Sequence, residues 1–79
     1  MYTYHPHQHT PRFKTYHVKS PQGALTCITG QENAASKIAD YLNDHQIYTL
    51  ADWKKQPQKV RLDFVCATAS AEPNFEVTP

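Results

Sequence analysis

Glycine is almost missing from this chain: Gly23 and Gly30 are its two glycines in 79 residues. No glycine-rich turn is therefore present to build an oxyanion hole beside a nucleophile. Long apolar runs are also missing, and nothing approaches the roughly 20 residues that a bilayer-crossing helix requires. The first residues lack the basic and apolar regions of a secretory signal, so the expected location is the cytoplasm, with no membrane partner. Charge of one sign is lacking as well. Eight Lys and Arg against seven Asp and Glu leave a net charge of +1 with histidine neutral, which exerts no global pull toward nucleic acid or anionic lipid. Cysteine is limited to Cys27 and Cys66, each inside a strand-like apolar segment. In a reducing compartment both are expected to be buried thiols rather than a disulfide.

What is there begins with one helix. Ala35, Ile38, Ala39 and Leu42 fall at i, i+3, i+4 and i+7 and make an apolar stripe, with Asn33, Ser36, Lys37, Asp40 and Asn43 outside it. Thr29 stands three residues before Glu32, the spacing of a capping box, and Asn43 suits a left-handed helix end. Small alanines on the stripe let the helix lie close against a sheet.

Strand-like segments flank it. Arg12 to Lys19 has rough alternation of β-branched and aromatic residues, Ser20-Pro21-Gln22-Gly23 has turn chemistry, and Ala24 to Thr29 follows as a second strand. With a three-residue loop, Val18 would oppose Thr26 and Tyr16 would oppose Ile28, so that these four residues meet the helix. Phe13, Thr15, His17, Lys19, Leu25 and Cys27 would then share a second, half-apolar face, covered by the termini, by the segment after the helix, or by a partner that includes a second copy of the chain. Thr49 would cap a short helical turn ended by Pro57. From Gln58 to Thr68, Val60, Leu62, Phe64 and Cys66 alternate with Lys59, Arg61 and Asp63, which predicts a third strand.

The expected architecture is a small two-layer α+β domain: β-hairpin, amphipathic helix, short helical turn and third strand, ββα(α)β, with an antiparallel or mixed sheet. Residues 1–11 read as a loose N-terminal arm or edge strand, 12–68 as the single domain, and 69–79 as a C-terminal tail anchored by Phe75 and Val77. A domain of this length buries only about 60% of its unfolded surface, so a partner can supply part of its core.

Three constellations bear on function. His5, His7 and His9 share one side of an extended segment and are weak metal candidates, with Pro6 loosening the geometry. Solvation of that arm is the simpler reading, and no metal or other cofactor is expected. His17 and Cys27 would be cross-strand neighbours, yet no orienting residue completes a nucleophilic pair. The third is basic: Lys54, Lys55, Lys59 and Arg61 lie within eight positions beside Trp53, with no acid between them. Cations next to an aromatic suit phosphate contact and base stacking, and Arg12, Lys14 and Lys19 would extend that surface if the first and third strands were adjacent.

A chain this short rarely encloses a pocket of roughly 300 Å³, which argues against an enzyme. The leading expectation is a non-enzymatic interaction protein that binds and blocks a macromolecular partner, foremost a protein complex. Candidate contact residues are Trp53, Lys54, Lys55, Lys59, Arg61 and Tyr48. An inhibitor carried by a phage or mobile element against a host defence or replication machine, anti-CRISPR-like in size class alone, is its most specific form. A small nucleic-acid-binding module using the basic segment is the alternative.

Overall fold

Alternating aromatic and β-branched residues within the first 29 positions make one antiparallel sheet. A computed structural model describes residues 1–64 and 73–75. Its strands are β1 (Thr3–Thr10), β2 (Phe13–Lys19) and β3 (Leu25–Thr29), in the order β1-β2-β3. Three helices follow: α1 (Glu32–Asp44), α2 (Leu50–Lys54) and α3 (Gln58–Asp63). The expected α+β class holds, with an amphipathic helix on a three-stranded antiparallel sheet.

The third strand comes from the N-terminus and not from the segment after the helices. The N-terminal segment, read as an arm or an edge strand, is the edge strand β1, and Pro6 is tolerated there because an edge has one side without a ladder. Gln58–Asp63 is helical rather than extended, and 65–68 lie outside the described residues. Two causes are visible. Pro57 at the N-cap has the preorganised φ of −56°, and its carbonyl accepts from the Arg61 N–H at 3.1 Å. The outer side of β3 is also already engaged, since the Asn74 N–H donates to the Thr26 carbonyl at 2.6 Å. Leu62, predicted to be inward, is exposed.

The hairpin turn forms as its residues predict, but the register slips by one. Gly23 N–H donates to the Ser20 carbonyl at 2.9 Å, and Gly23 takes a φ of +85° that its missing Cβ permits. Beyond Lys19↔Leu25 the pairing jumps to Val18↔Cys27, His17↔Ile28 and Tyr16↔Thr29, leaving Thr26 as a bulge. One extra residue changes the faces of everything after it. Cys27, expected outside, is fully buried with Val18, while Ile28 joins His17 on the far face.

Helix α1 buries the four predicted residues, Ala35, Ile38, Ala39 and Leu42. Its ends differ from expectation. Thr29 remains in β3 and its hydroxyl donates to the Gln31 carbonyl at 2.9 Å, so the N-cap, Gln31, has no side-chain cap. At the other end Asn43 stays helical and Gln46 turns left-handed at φ 52°. Ile47 N–H then donates to the Leu42 carbonyl at 3.0 Å and Gln46 N–H to the Asn43 carbonyl at 3.3 Å, a Schellman closure with buried Ile47 and Leu42 as its apolar contact. Helix α2 is capped as predicted, Thr49 Oγ1 accepting from the Asp52 N–H at 3.1 Å.

The core lies between α1 and the inner sheet face. Tyr2, Ile47 and Trp53 complete it, and Phe64 and Phe75 pack on Trp53 at centroid distances of 6.3 and 6.0 Å. Cys27 is disulfide-bonded, and no cysteine is free among the described residues. This corrects the expectation of a free buried thiol. The bulge brings Cys27 inward, where a bridge can form.

Candidate functional site

The sheet has one covered face and one open face. Cross-strand rows assign the sides. Tyr4, Val18 and Cys27 form a row toward α1, and the next row, His5, His17 and Ile28, points away from it. Thr3, Lys19 and Leu25 make a neighbouring outer row, and His7 with Thr15 another. The N-terminal arm, one of the covers expected for this face, extends the sheet sideways instead. Phe13 is 55% exposed and Leu25 37%, while His17 and Ile28 are half-buried.

Four of the five histidines gather here. His7 and His17 stack with centroids 4.7 Å apart and planes 14° from parallel, and His9 meets His7 edge-on at 4.7 Å. Phe13 continues the row, 5.0 Å from His9. Two hydroxyls hold the ends: Thr15 Oγ1 lies 2.8 Å from His9 Nε2, and Thr3 Oγ1 lies 3.0 Å from His5 Nε2. Partial burial, with help from His7, His9 and Lys19 nearby, holds the His17 imidazole below its ordinary pKa of 6.5. The His17 ring is thus neutral near pH 7 and gains charge only on acidification below 6.5.

Its fixed charge has one sign. Residues 1–31 contain Arg12, Lys14 and Lys19 and no Asp or Glu, because the seven acids all lie from Glu32 onward. Lys19 stands in the outer row beside Leu25, and Arg12 sits in the β1–β2 turn. Lys14 belongs to the other side, its ammonium 5.6 Å from the centroid of Tyr16. Among the described residues no three His, Cys, Asp or Glu side chains converge to hold a metal, and His5, His7 and His9 are occupied with rings and hydroxyls.

The basic segment is dispersed by its helices. Trp53 is 1% exposed, inside the core, with its Nε1 lacking a hydrogen-bond partner. Its ring cannot stack on a ligand while the core is closed. Lys54, Lys55 and Lys59 are exposed, whereas Arg61 is half-buried. Tyr48 is 46% exposed but stacks on buried Tyr2 at 5.6 Å, as part of the support for α2. Asp52 in that helix accepts from the Tyr48 N–H at 3.3 Å, which, with the Thr49 hydroxyl, lowers its pKa. Sequence reasoning chose the cluster that is contiguous in the chain and missed the one assembled across two strands. Alternation of His5, His7 and His9 was the usable signal, and His17 joins them only through the β1–β2 register.

A hollow of about 310 Å³ lies elsewhere, between the start of α1 and the end of α3, lined by Gln31, Asn33, Lys37, Ile38, Asp63 and Phe64 among others. Its lining offers one ammonium, one carboxylate and two amides, with no nucleophile beside a base. No helix among the described residues is long and apolar enough to cross a membrane. Compared with protein-family models, with curated proteins and with solved structures, the chain matches none.

Proposed function

We propose that this protein acts by contact and not by turnover, docking a macromolecular partner on the open sheet face. The observation that carries the reading is the combination on that face of exposed rings, Arg12 and Lys19 at its ends, and, among the described residues, no carboxylate. Exposed aromatic rings anchor interfaces because they bury much area at little entropic cost. Binding and blocking a partner needs nothing beyond occupation of such a face. The disulfide at Cys27 supports a working place outside the reducing cytosol, in place of the expected cytoplasm. It correspondingly weighs against a phage or mobile-element inhibitor aimed at an intracellular host machine. The alternative contact surface, Lys54, Lys55, Lys59 and Arg61, retains three exposed ammonium groups but has lost its ring to the core.

The test is comparative capture by tagged full-length protein. Phe13→Glu on the sheet face is expected to abolish retention of whatever wild type captures, and the double change Lys54→Ala, Lys55→Ala to leave it intact. The reverse pattern would overturn the reading.

A further inference from the structure

The chemistry of the open face specifies its partner more closely, on the premise that this face is the contact surface. We propose that the histidine-rich face of the sheet binds single-stranded nucleic acid, with bases stacking on the ring row formed by His7, His17 and Phe13 and phosphates meeting Arg12 and Lys19. Open antiparallel sheets carrying flat rings are suited to splayed-out bases, since every base has a π-face that such a ring can meet. Phe13, more than half exposed, offers the open ring, and the His7–His17 stack beside it leaves its outer faces to extend a column of bases. Charge complementarity selects the polyanion over a second copy of the chain. Two such faces brought together would set the Arg12 and Lys19 cations of one copy against those of the other, with no carboxylate among the described residues of either face to pair them. A duplex is disfavoured because its bases are stacked and closed to the rings.

Proton uptake accompanies binding. The titratable groups on this face are His5, His7 and His9 from β1 and His17 with Lys19 from β2, and β3 contributes Leu25 and Ile28, which do not titrate. In the free protein the His17 imidazole, stacked on His7, resists charging because it is partly buried and His7, His9 and Lys19 stand beside it. A phosphate backbone laid across this row reverses that preference, so affinity rises as pH falls. Nucleic acid shed outside cells presents the same phosphates and bases, so the proposal is compatible with an oxidising location.

The experiment is fluorescence anisotropy of a labelled single-stranded DNA of about 12 nucleotides, a length within the range of single sites, against the full-length protein. It is run at about pH 5.5 and pH 7.5, with circular dichroism confirming the fold at both. Expected are preference over duplex of the same sequence, affinity roughly tenfold higher at the lower pH, and a slope of log affinity on log salt near −1.4 at the higher pH, about −0.7 for each of two neutralised phosphates. Phe13→Ala, and separately His7→Ala with His17→Ala, are each expected to weaken binding roughly tenfold while the folded spectrum is retained. Absence of binding by folded wild type at the lower pH and low salt would overturn the proposal, as would full affinity in both ring variants. Self-association that strengthens at the higher pH and is lost in Phe13→Glu would overturn it too, while leaving the face as the contact surface. Loss of that surface altogether is read separately, from partner capture that survives Phe13→Glu.

Discussion

The side-chain amide of Asn43 closes on both backbone groups of Tyr2. Its Oδ1 accepts from the Tyr2 N–H at 2.6 Å and its Nδ2 donates to the Tyr2 carbonyl at 3.0 Å. A single side chain in the last turn of α1 thereby continues β1 toward the helix, acting as a one-residue strand partner. Asn43→Ala leaves two part-buried backbone groups without partners and is expected to cost about 1–3 kcal/mol in denaturant unfolding. The matching local readout is faster amide exchange at Tyr2.

Tyr2 is also a source of alkaline sensitivity. Its hydroxyl donates to the Ile47 carbonyl at 2.6 Å, and burial, with Tyr48 and Asp52 nearby, pushes its pKa from 10.0 up to about 12. The folded state thus keeps a proton that the unfolded chain releases above pH 10. Stability contributed by Tyr2 is present below that pH and falls as pH rises toward 12. Tyr2→Phe is expected to lower stability at neutral pH by about 1 kcal/mol through the lost hydrogen bond and to flatten the alkaline limb of the stability profile.

His17 gives the opposite limb. Because its pKa is held below 6.5 in the folded state, the unfolded chain takes up a proton first as pH drops. Its contribution is therefore present above pH 6.5 and is lost as pH falls below it. Unfolding midpoints measured through this window are expected to decline toward acid in wild type and to decline less in His17→Gln. A His17 ring resonance titrating at or above 6.5 in the free protein would contradict the packing described.

The end of α1 is strained at one residue. Gln46 holds a φ of 52° to complete the Schellman closure, a conformation costing an L-residue about 1–2 kcal/mol relative to glycine. Gln46→Gly is expected to raise stability by about 1 kcal/mol, less than the full strain because glycine also gains freedom in the unfolded chain. Thermal melts of the two proteins decide it.

Disulfide bonding at Cys27 predicts a redox-dependent fold. Reduction, or Cys27→Ser, is expected to lower stability by about 2–4 kcal/mol. Alkylation of denatured but unreduced protein is expected to leave Cys27 unlabelled, and reduction before alkylation to expose it.

The sequence makes some of this legible and hides the rest for definite reasons. The buried stripe of α1, the Ser20–Gly23 turn and the Thr49 cap are readable because each depends on residues within seven positions of one another. The hairpin faces are not, because a bulge at Thr26 leaves no local signature, and a single added residue exchanges Cys27 for Ile28. Gln58–Asp63 alternates like a strand, yet Val60 and Phe64 are also one helical turn apart, and Pro57 favoured the helix. The candidate site followed the same division. A run of Lys and Arg beside Trp53 is conspicuous in the chain, but core packing took the tryptophan. The histidine row exists only once β1 and β2 are in register.

Thr26 does more than sort faces. β3 lies at the edge of the sheet, and on its outer side the carbonyl of Thr26 receives the N–H of Asn74. Residues 73–75 are moored by that bond, and Phe75 reaches Trp53 from there. Without that carbonyl the chain would forfeit the berth for residues 73–75, and with it one wall of the tryptophan's cage.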